Sequence, residues 1–577
     1  MLSCKNLTVQ PASSPRPILD SATVQFKTGA MNAVIGPSGC GKTTLVKAML
    51  GIIPSTGESF FDNRLIDSPD ELVGKVGFAP QFTCVHPMLT VAEAIEGALE
   101  IAGCASGDFC VRRSEILKIV GLEEHADKPV GALSGGQLRR IGLGVELAGD
   151  PPVLCCDEVT SGLDPLSENA ILDLLENLCR SRKKTCVCII HNLAKLDYFD
   201  TVTVIHCGRV VFCGSPADML AHFGIDSALR LYDRLGEFGI EHWLGLYEKR
   251  KSAEGSEDYS KGAGEVGGQS VGTPAGGDDK KNSASGGGGR KPPSFFGQLS
   301  MLLRRRTTLF FRDTQNLILT LAITFGFPII VVIFSIGGLP QIESLALDRN
   351  LGVLDELREN LRIQISAAQT STLVTGLILF QVVLLSLMGA NNSAREIAAE
   401  RPLYEKERLL GLRPSAYALS KLLFTSAVAV FQGLCMCVFV KYVCKFPGDF
   451  FVQSTVLAMA CVATTAVCLA FSALFDSPEK ANTVSIYLVG FQLPLSGIVL
   501  ALPEALKWVC RPFISAYWGW AGYMSSMRET RIYDAYIQTR AAWEFLPDCA
   551  FALAVLSAQT LLAAAAVFYG CRLRKWK

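Results

Sequence analysis

Gly36-Pro37-Ser38-Gly39-Cys40-Gly41-Lys42-Thr43-Thr44 sets three glycines, a lysine and two threonines in the pattern G-x-x-x-x-G-K-[ST]. Glycines at this spacing let backbone N–H groups turn inward around phosphate oxygens. Lys42 then reaches the β- and γ-phosphates, and the Thr43 hydroxyl ligates Mg²⁺. The chemistry implied is the binding of a nucleoside triphosphate. Four further features follow in order along the chain. Phe78-Ala79-Pro80-Gln81 carries one amide side chain able to touch a metal or a water. Leu133-Ser134-Gly135-Gly136-Gln137 offers a hydroxyl and glycine amides to a second anion contact. Asp157 and Glu158 are adjacent carboxylates. The first suits Mg²⁺ held through water, and the second suits polarisation of an attacking water. His191 closes the series as an imidazole able to sense the γ-phosphate.

Each of these groups needs a rigid element behind it. Asn32-Ala33-Val34-Ile35 is a short apolar run that reads as a buried strand entering the glycine loop, and Leu45 to Leu50 reads as a helix leaving it. The N-terminus of that helix adds partial positive charge at the phosphate site. Leu138 to Ala148 is a second helix, opened by the Ser134 segment. Val153 to Cys156 and Val187 to Ile190 are apolar strands that deliver Asp157-Glu158 and His191 at their ends. Residues 1–225 alternate such runs with helical stretches and turns, the pattern of an α/β domain. Taken singly, a strand-end carboxylate pair, a strand-tip histidine and a Ser-Gly-Gly turn are ordinary structural features; their order makes them informative.

Composition bounds the rest. The chain of 577 residues has room for two to four domains, and its 54 basic and 54 acidic residues cancel. No global field therefore points to nucleic acid. A hydrophobic content of 49% is high for a soluble enzyme and is concentrated in the second half. Two C-x-C pairs (Cys186/Cys188 and Cys435/Cys437) occur without any C-x-x-C, so the 20 cysteines read as small core residues rather than zinc ligands.

In combination, the ordered motifs resemble the ATP-binding-cassette (ABC) ATPases. In that resemblance Gly36 to Thr44 is the Walker A loop and Gln81 the Q-loop. Leu133 to Gln137 is the LSGGQ signature, letter for letter. Asp157 and Glu158 are the Walker B aspartate and catalytic glutamate, Ser161 to Asp164 the D-loop, and His191 the switch histidine. The resemblance implies ATP and Mg²⁺ as cofactors, with Thr43, Gln81 and Asp157 at the metal and Glu158, His191 and Gln81 at the hydrolytic centre. The signature residues, Ser134 to Gln137, would face the nucleotide of an opposite subunit. Three departures stand out. Val159 replaces the usual proline, Asn192-Leu193 replaces Gln-Pro, and no aromatic lies between Val9 and Ile18, so the base contacts stay unassigned.

Residues 226–292 read as a short helical extension followed by a linker. In 251–290, 18 of 40 residues are Gly or Ser, too few apolar groups to offset the ordering entropy, giving an expected span of about 35 Å. From 293 to 577 the chain reads as an all-α membrane domain. Ser294 to Asp313 suits an interfacial helix. Six apolar stretches of spanning length follow, near 316–338, 371–391, 421–440, 453–475, 483–502 and 549–570. With the cassette, linker and C-terminus cytoplasmic, the inner segments carry 15 Lys/Arg in about 66 residues against 10 in about 90 outside. The 503–548 segment is long enough for a short re-entrant helix pair. Cys444, Cys510 and Cys549 fall in or beside outer segments, where a disulfide could form.

The charged run Arg395 to Arg408, followed by Tyr417 and Ser420-Lys421, resembles the coupling segment of ABC-2-type permeases. The order of cassette then six spans resembles the G subfamily of half-transporters. That likeness implies a dimer, of two copies or of related half-transporters, in contact with membrane lipid and exporting a hydrophobic or amphipathic small-molecule substrate. Phe380-Gln381 and Phe491-Gln492 lie in the spans that line the cavity of such transporters; interhelical hydrogen bonding is the alternative role for the glutamines. The alternative function is a membrane-anchored ABC ATPase that remodels partner proteins without transport. A DNA-repair ABC ATPase is opposed by the six spans and by the short interval between Gln81 and Leu133.

Overall fold

A computed structural model describes residues 1–11, 16–104, 108–258, 293–336, 353–498, 502–530, 533–534, 536–537 and 546–573. Its residues fall into two compact units. The first holds the described chain up to Pro293 together with Glu405–Leu412, and the second holds Ser294–Tyr404 and the described chain from Arg413 onward.

The first unit is built on two sheets. The smaller is antiparallel, with strands β1 (Leu2–Val9), β2 (Leu19–Gln25), β4 (Thr56–Phe61) and β5 (Arg64–Leu65) in the order β2-β1-β4-β5. The larger has six strands in the order β10-β9-β3-β8-β7-β6. They are β3 (Met31–Ile35), β6 (Val76–Ala79), β7 (Val153–Asp157), β8 (Thr185–Ile189), β9 (Thr201–His206) and β10 (Arg209–Gly214). All its pairs are parallel except β9–β10. β3, β7 and β8 are buried along their whole length, which is why they read as unbroken apolar runs with cysteine as filler.

Helix α1 (Lys42–Met49) follows the glycine loop. α2 (Val91–Ile101) opens with a Thr90/Glu93 capping box and is followed by α3 (Phe109–Val120). α4 (Gly135–Leu147) is capped by Ser134. α5 (Pro165–Arg182) is capped by Asp164, whose Oδ1 accepts from the Leu166 and Ser167 amides, with Pro165 in the first helical position.

Beyond α6 (Pro216–Phe223), the helical extension forms α7 (Leu231–Glu237) and α8 (Ile240–Asp258). It packs on the cassette rather than trailing from it. Trp243 is fully buried with its ring 5.0 Å from that of Phe223, which in turn lies 6.0 Å from Phe212 on β10. Residues 251–258, expected in the linker, belong to α8; the rest of the Gly/Ser-rich stretch lies outside the described residues.

The second unit is helical. Helix α9 (Phe295–Arg312) is capped by Ser294, and its buried stripe includes Gln298, Met301, Leu302 and Leu309. α10 (Thr314–Ser335), α11 (Val353–Ser393), α12 (Glu396–Leu410), α13 (Pro414–Cys444), α14 (Phe450–Leu474), α15 (Pro478–Leu495), α16 (Glu504–Cys510), α17 (Ser515–Ser525) and α18 (Cys549–Arg572) follow. α12 delivers its last turns, from Glu405, to the first unit. α14 is the core of the bundle, and its Ala, Cys, Ser and Thr residues permit close approach. A Cβ on Gly433 of α13 would stand 2.6 Å from the Ala458 Cα, and one on Gly570 of α18 would stand 2.8 Å from the Ala473 carbonyl oxygen.

Among the described residues, five helical runs are long and apolar enough to cross a membrane: Thr314–Ser335, Thr372–Leu410, Pro414–Cys444, Phe450–Leu474 and Cys549–Arg572. The expected sixth span, 483–502, is not among these five; α15 holds its first part, and residues 499–501 lie outside the described residues. That helix starts with Glu479 and Lys480 and stops after Leu495, where Gly497 turns the chain at φ 70°. Its apolar part, Val484–Leu495, is about 18 Å long, against the roughly 30 Å of a hydrocarbon core. Two short helices, α16 and α17, do stand in the segment read as a re-entrant pair. All 20 cysteines are free thiols, and the Cys444 Sγ meets the Ser335 Oγ at 3.1 Å.

Candidate active site

Gly36, Gln81, Glu158 and His191 all lie just past the carboxyl ends of four neighbouring parallel strands, β3, β6, β7 and β8. That edge is where open α/β sheets bind ligands. The loop after β3 tolerates no side chain at two places. A Cβ on Gly36, at φ 155°, would fall 2.2 Å from the Ile205 carbonyl oxygen. One on Gly41, at φ 103°, would fall 2.9 Å from that of Ile18. The glycines thus let the loop pass tightly over β9 and close onto α1.

Lys42 is buried, and its Nζ donates to the Gly36 and Pro37 carbonyls at 2.9 and 3.1 Å. Among the described residues no carboxylate pairs with it. An amino group held only by carbonyl dipoles leaves room for an anion brought to the loop to pair with it. Beside it the Thr43 hydroxyl donates to Asp157 Oδ1 at 2.8 Å. Asp157 is also buried, and burial is the main cause that raises its carboxyl above the usual range, partly opposed by the Thr43 hydrogen bond. A hydroxyl and a desolvated carboxylate side by side form an oxygen donor set of the kind Mg²⁺ takes with phosphates and water. The residues present therefore fit both groups.

Glu158 is held at both oxygens. Gln81 Nε2 donates to Oε2 at 2.9 Å, and His191 Nε2 lies 2.5 Å from Oε1. Gln81, expected also at the metal, is thus placed on Glu158 rather than on the Thr43–Asp157 pair. Glu158 itself adopts a left-handed backbone, φ 52°, a conformation that costs a non-glycine residue about 1–2 kcal/mol. It turns the chain directly after β7 so that consecutive carboxylates point to different partners. Sequence patterns carry no sign of this turn.

The Ser134 segment stands apart. Ser134 and Gln137 bond each other in a capping box, Ser134 Oγ accepting from the Gln137 amide and Gln137 Oε1 from the Ser134 amide. Among the described residues no hydrogen bond joins Leu133–Gln137 to the glycine loop, Asp157 or Glu158.

One pair escaped the sequence reading. Glu146, near the end of α4, and Lys406 meet as an ion pair at 2.9 Å between Nζ and Oε1, both side chains 1% exposed. The other Glu146 oxygen accepts from the Phe78 amide of edge strand β6 at 3.1 Å. The signal was a lone carboxylate inside the apolar run Ile141–Leu147, which demands a buried partner.

A buried phosphate-loop lysine, a Thr43–Asp157 oxygen pair and a carboxylate held by Gln and His fit a nucleoside-triphosphate hydrolase carried on the same chain as a multi-pass helical domain. The profile described as ABC transporter matches residues 19–161, and that described as ABC-2 type transporter matches residues 297–525. The methionine import ATP-binding protein MetN of Caulobacter vibrioides is 32% identical over 46% of this chain and 82% of its own length. An uncharacterized ABC transporter ATP-binding protein/permease of Saccharomyces cerevisiae, YOL075C, is 33% identical over 36% of this chain but only 17% of its own length. Among solved structures, a dimeric post-hydrolysis state of the ATP-binding cassette MJ0796 bound to ADP and Pi covers 37% of this chain at 28% identity and a TM-score of 0.35. The chain belongs to the ABC transporter family, and combines an ATP-binding cassette with an ABC-2-type membrane domain.

Proposed function

We propose that this chain is a half-transporter of the G-subfamily or ABC-2 type. In this reading it dimerises with a second copy or a related half-transporter, and hydrolyses ATP to export a hydrophobic or amphipathic substrate. The observation that carries the reading is the convergence of Lys42, Thr43–Asp157 and Gln81–Glu158–His191 at one sheet edge in a chain that also contains the membrane domain. Lys42 and the loop amides would hold the phosphates, and Thr43 and Asp157 would hold the metal. Glu158 takes the proton of the attacking water while Gln81 and His191 fix its direction. A Mg²⁺ ion held there would supply neutralisation of phosphate charge. The bias of Lys and Arg supports a cytoplasmic cassette, linker and C-terminus. Reconstituted protein should show ATPase activity stimulated by members of a panel of lipids, sterols and amphiphiles. Unstimulated activity that responds only to an added protein partner would replace this reading with the remodelling ATPase.

The isolated position of Ser134 within its own chain supports a composite site, completed by the signature segment of the opposite subunit. Lys42→Ala and Ser134→Arg chains, each inactive alone, should regain at most one working site per dimer when mixed, measured as ATPase rate against mixing ratio. A monomer hydrolysing ATP at full rate would refute this.

The two glutamines of the proposed substrate cavity differ. Gln492 is an interhelical clamp, donating from Nε2 to the Ser515 Oγ at 3.1 Å and accepting from the Ala516 amide at 2.8 Å; Phe491 beside it is exposed. Gln381 is fully buried, and neither atom of its amide has a partner among the described residues. Gln492→Leu should therefore lower thermal stability, by about 1 kcal/mol for two such bonds. Gln381→Leu should leave stability unchanged while reducing substrate-stimulated ATPase. A loss of stability without loss of stimulation in Gln381→Leu would assign that residue to packing alone.

A further inference from the structure

At one end of the helical unit a pocket of about 450 Å³ opens between α9, α10, α11, α13 and α15. Its depth is set by where the apolar segments begin and end. Asn316 is in the first turn of α10, Asn391 and Arg395 close the apolar run that starts at Thr372, and Asn482 is in the second turn of α15. Such positions fall at the level of lipid headgroups, while Leu319 and Val428 carry the wall onto the apolar parts of α10 and α13.

Arg306, Arg395, Glu396 and Glu400 line this pocket, and Lys421 behind the two carboxylates adds a third cation. Arg306 bonds Glu396 Oε2 at 2.7 Å, and Lys421 bonds Glu396 Oε1 at 2.8 Å and Glu400 Oε2 at 2.6 Å. The Tyr417 hydroxyl also donates to Glu400, at 3.2 Å. Two cations thus balance two carboxylates, and the half-buried Arg306 is further held over the Phe424 ring. Arg395 stands outside this balance: it lines the pocket, it is exposed, and its guanidinium has no hydrogen-bond or ion-pair partner among the described residues. The Asn316, Asn391 and Asn482 side chains likewise make no hydrogen bond there. One uncompensated guanidinium with three free carboxamides, polar at the mouth and apolar toward the spans, matches a phosphate group joined to an apolar body.

We propose that this pocket binds a phosphate group, presented by the headgroup of a glycerophospholipid in the adjoining leaflet, with Arg395 as its cationic anchor and the asparagine amides as neutral donors. The proposal stands on the lining of this pocket within one chain and does not depend on the export reading.

The test is lipid retention by the purified full chain, read by native mass spectrometry after delipidation and exposure to detergent micelles of phosphatidylglycerol or of diacylglycerol, which lacks the phosphate. Wild type should retain phosphatidylglycerol and not diacylglycerol. Arg395→Gln should reduce that retention at least about ten-fold, the scale of one charge-assisted contact to phosphate. Asn482→Leu, which changes no charge, should reduce it about three-fold and serves where Arg395→Gln yields no folded protein. Glycerol 3-phosphate distinguishes the sources. Displacement by millimolar glycerol 3-phosphate would assign the site to a soluble phosphate ester, and its failure to displace would assign it to the bilayer. Equal retention of the two lipids, or retention unaltered in both variants, would overturn the proposal.

Discussion

Glu158→Gln is expected to keep ATP binding and to slow hydrolysis by two or more orders of magnitude, about the loss that follows removal of general-base assistance. The substitution is close to isosteric and leaves the left-handed backbone at φ 52° as strained as before, so the comparison isolates the carboxylate. Gln81 can still donate to the amide oxygen that replaces one carboxylate oxygen. The atom facing His191 Nε2 then becomes an NH₂, and neither it nor the amide oxygen can take a proton from water at neutral pH. If the composite site is right, the variant should accumulate as an ATP-bound dimer, visible by size-exclusion chromatography with ATP and Mg²⁺ and absent with ADP. Turnover at the wild-type rate would remove Glu158 from the role of base and leave the neighbouring carboxylate, Asp157, as the candidate.

Breaking the buried ion pair is the second large effect. Lys406→Met should cost about 3–5 kcal/mol, because it leaves the Glu146 carboxylate buried without a counter-charge. That is a large fraction of the 5–15 kcal/mol typical of a domain. The double variant Lys406→Met/Glu146→Leu should recover most of the loss in thermal unfolding, because it removes both charges. The pH dependence has a definite sign. Burial raises the Glu146 carboxyl above its ordinary range. A raised pKa means that the folded state holds a proton the unfolded chain has released. Stability from that protonation is complete below the unfolded value of about 4.3, and is lost as pH climbs through the folded one. Lys406→Met should accordingly unfold at a lower temperature at pH 8 than at pH 5.5, by more than wild type does. A pH-independent loss would mean that Lys406 contributes packing rather than charge. Because Glu405–Leu412 ends a helix that starts in the membrane unit, the double variant should also show weakened substrate stimulation of ATPase with its basal rate retained.

What was legible in the sequence was local or periodic. The phosphate loop could be read because its glycines are demanded by backbone geometry within nine residues. The strands β3, β7 and β8 could be read because burial on both faces leaves unbroken apolar runs. Thr43 and Asp157, 114 residues apart, and Glu158 and His191, 33 apart, meet because each is fixed at the end of such a run, and parallel strands bring their ends to one edge. In the membrane half, five of the six stretches picked by length and apolarity are helices of spanning size. The sixth, 483–502, is not among them: the helix that holds its first part begins before it, with Glu479 and Lys480 in the first turn, and a glycine turn follows Leu495, so the apolar helical length is short.

The sequence alone therefore determined the ATP-binding cassette, the order of its motifs and the presence of a polytopic helical domain, all set by short-range chemistry. Only the tertiary structure decided how polar groups are paired. It satisfied Gln492 on α17 but left Gln381 without a partner, and matched Glu146 to Lys406 across 260 residues of chain. It also balanced Glu396 and Glu400 against Arg306 and Lys421 while leaving Arg395 over. The reason is physical. A buried polar group is stabilised or penalised by the one atom that meets it, and helix packing, which depends on shapes summed over the whole bundle, chooses that atom.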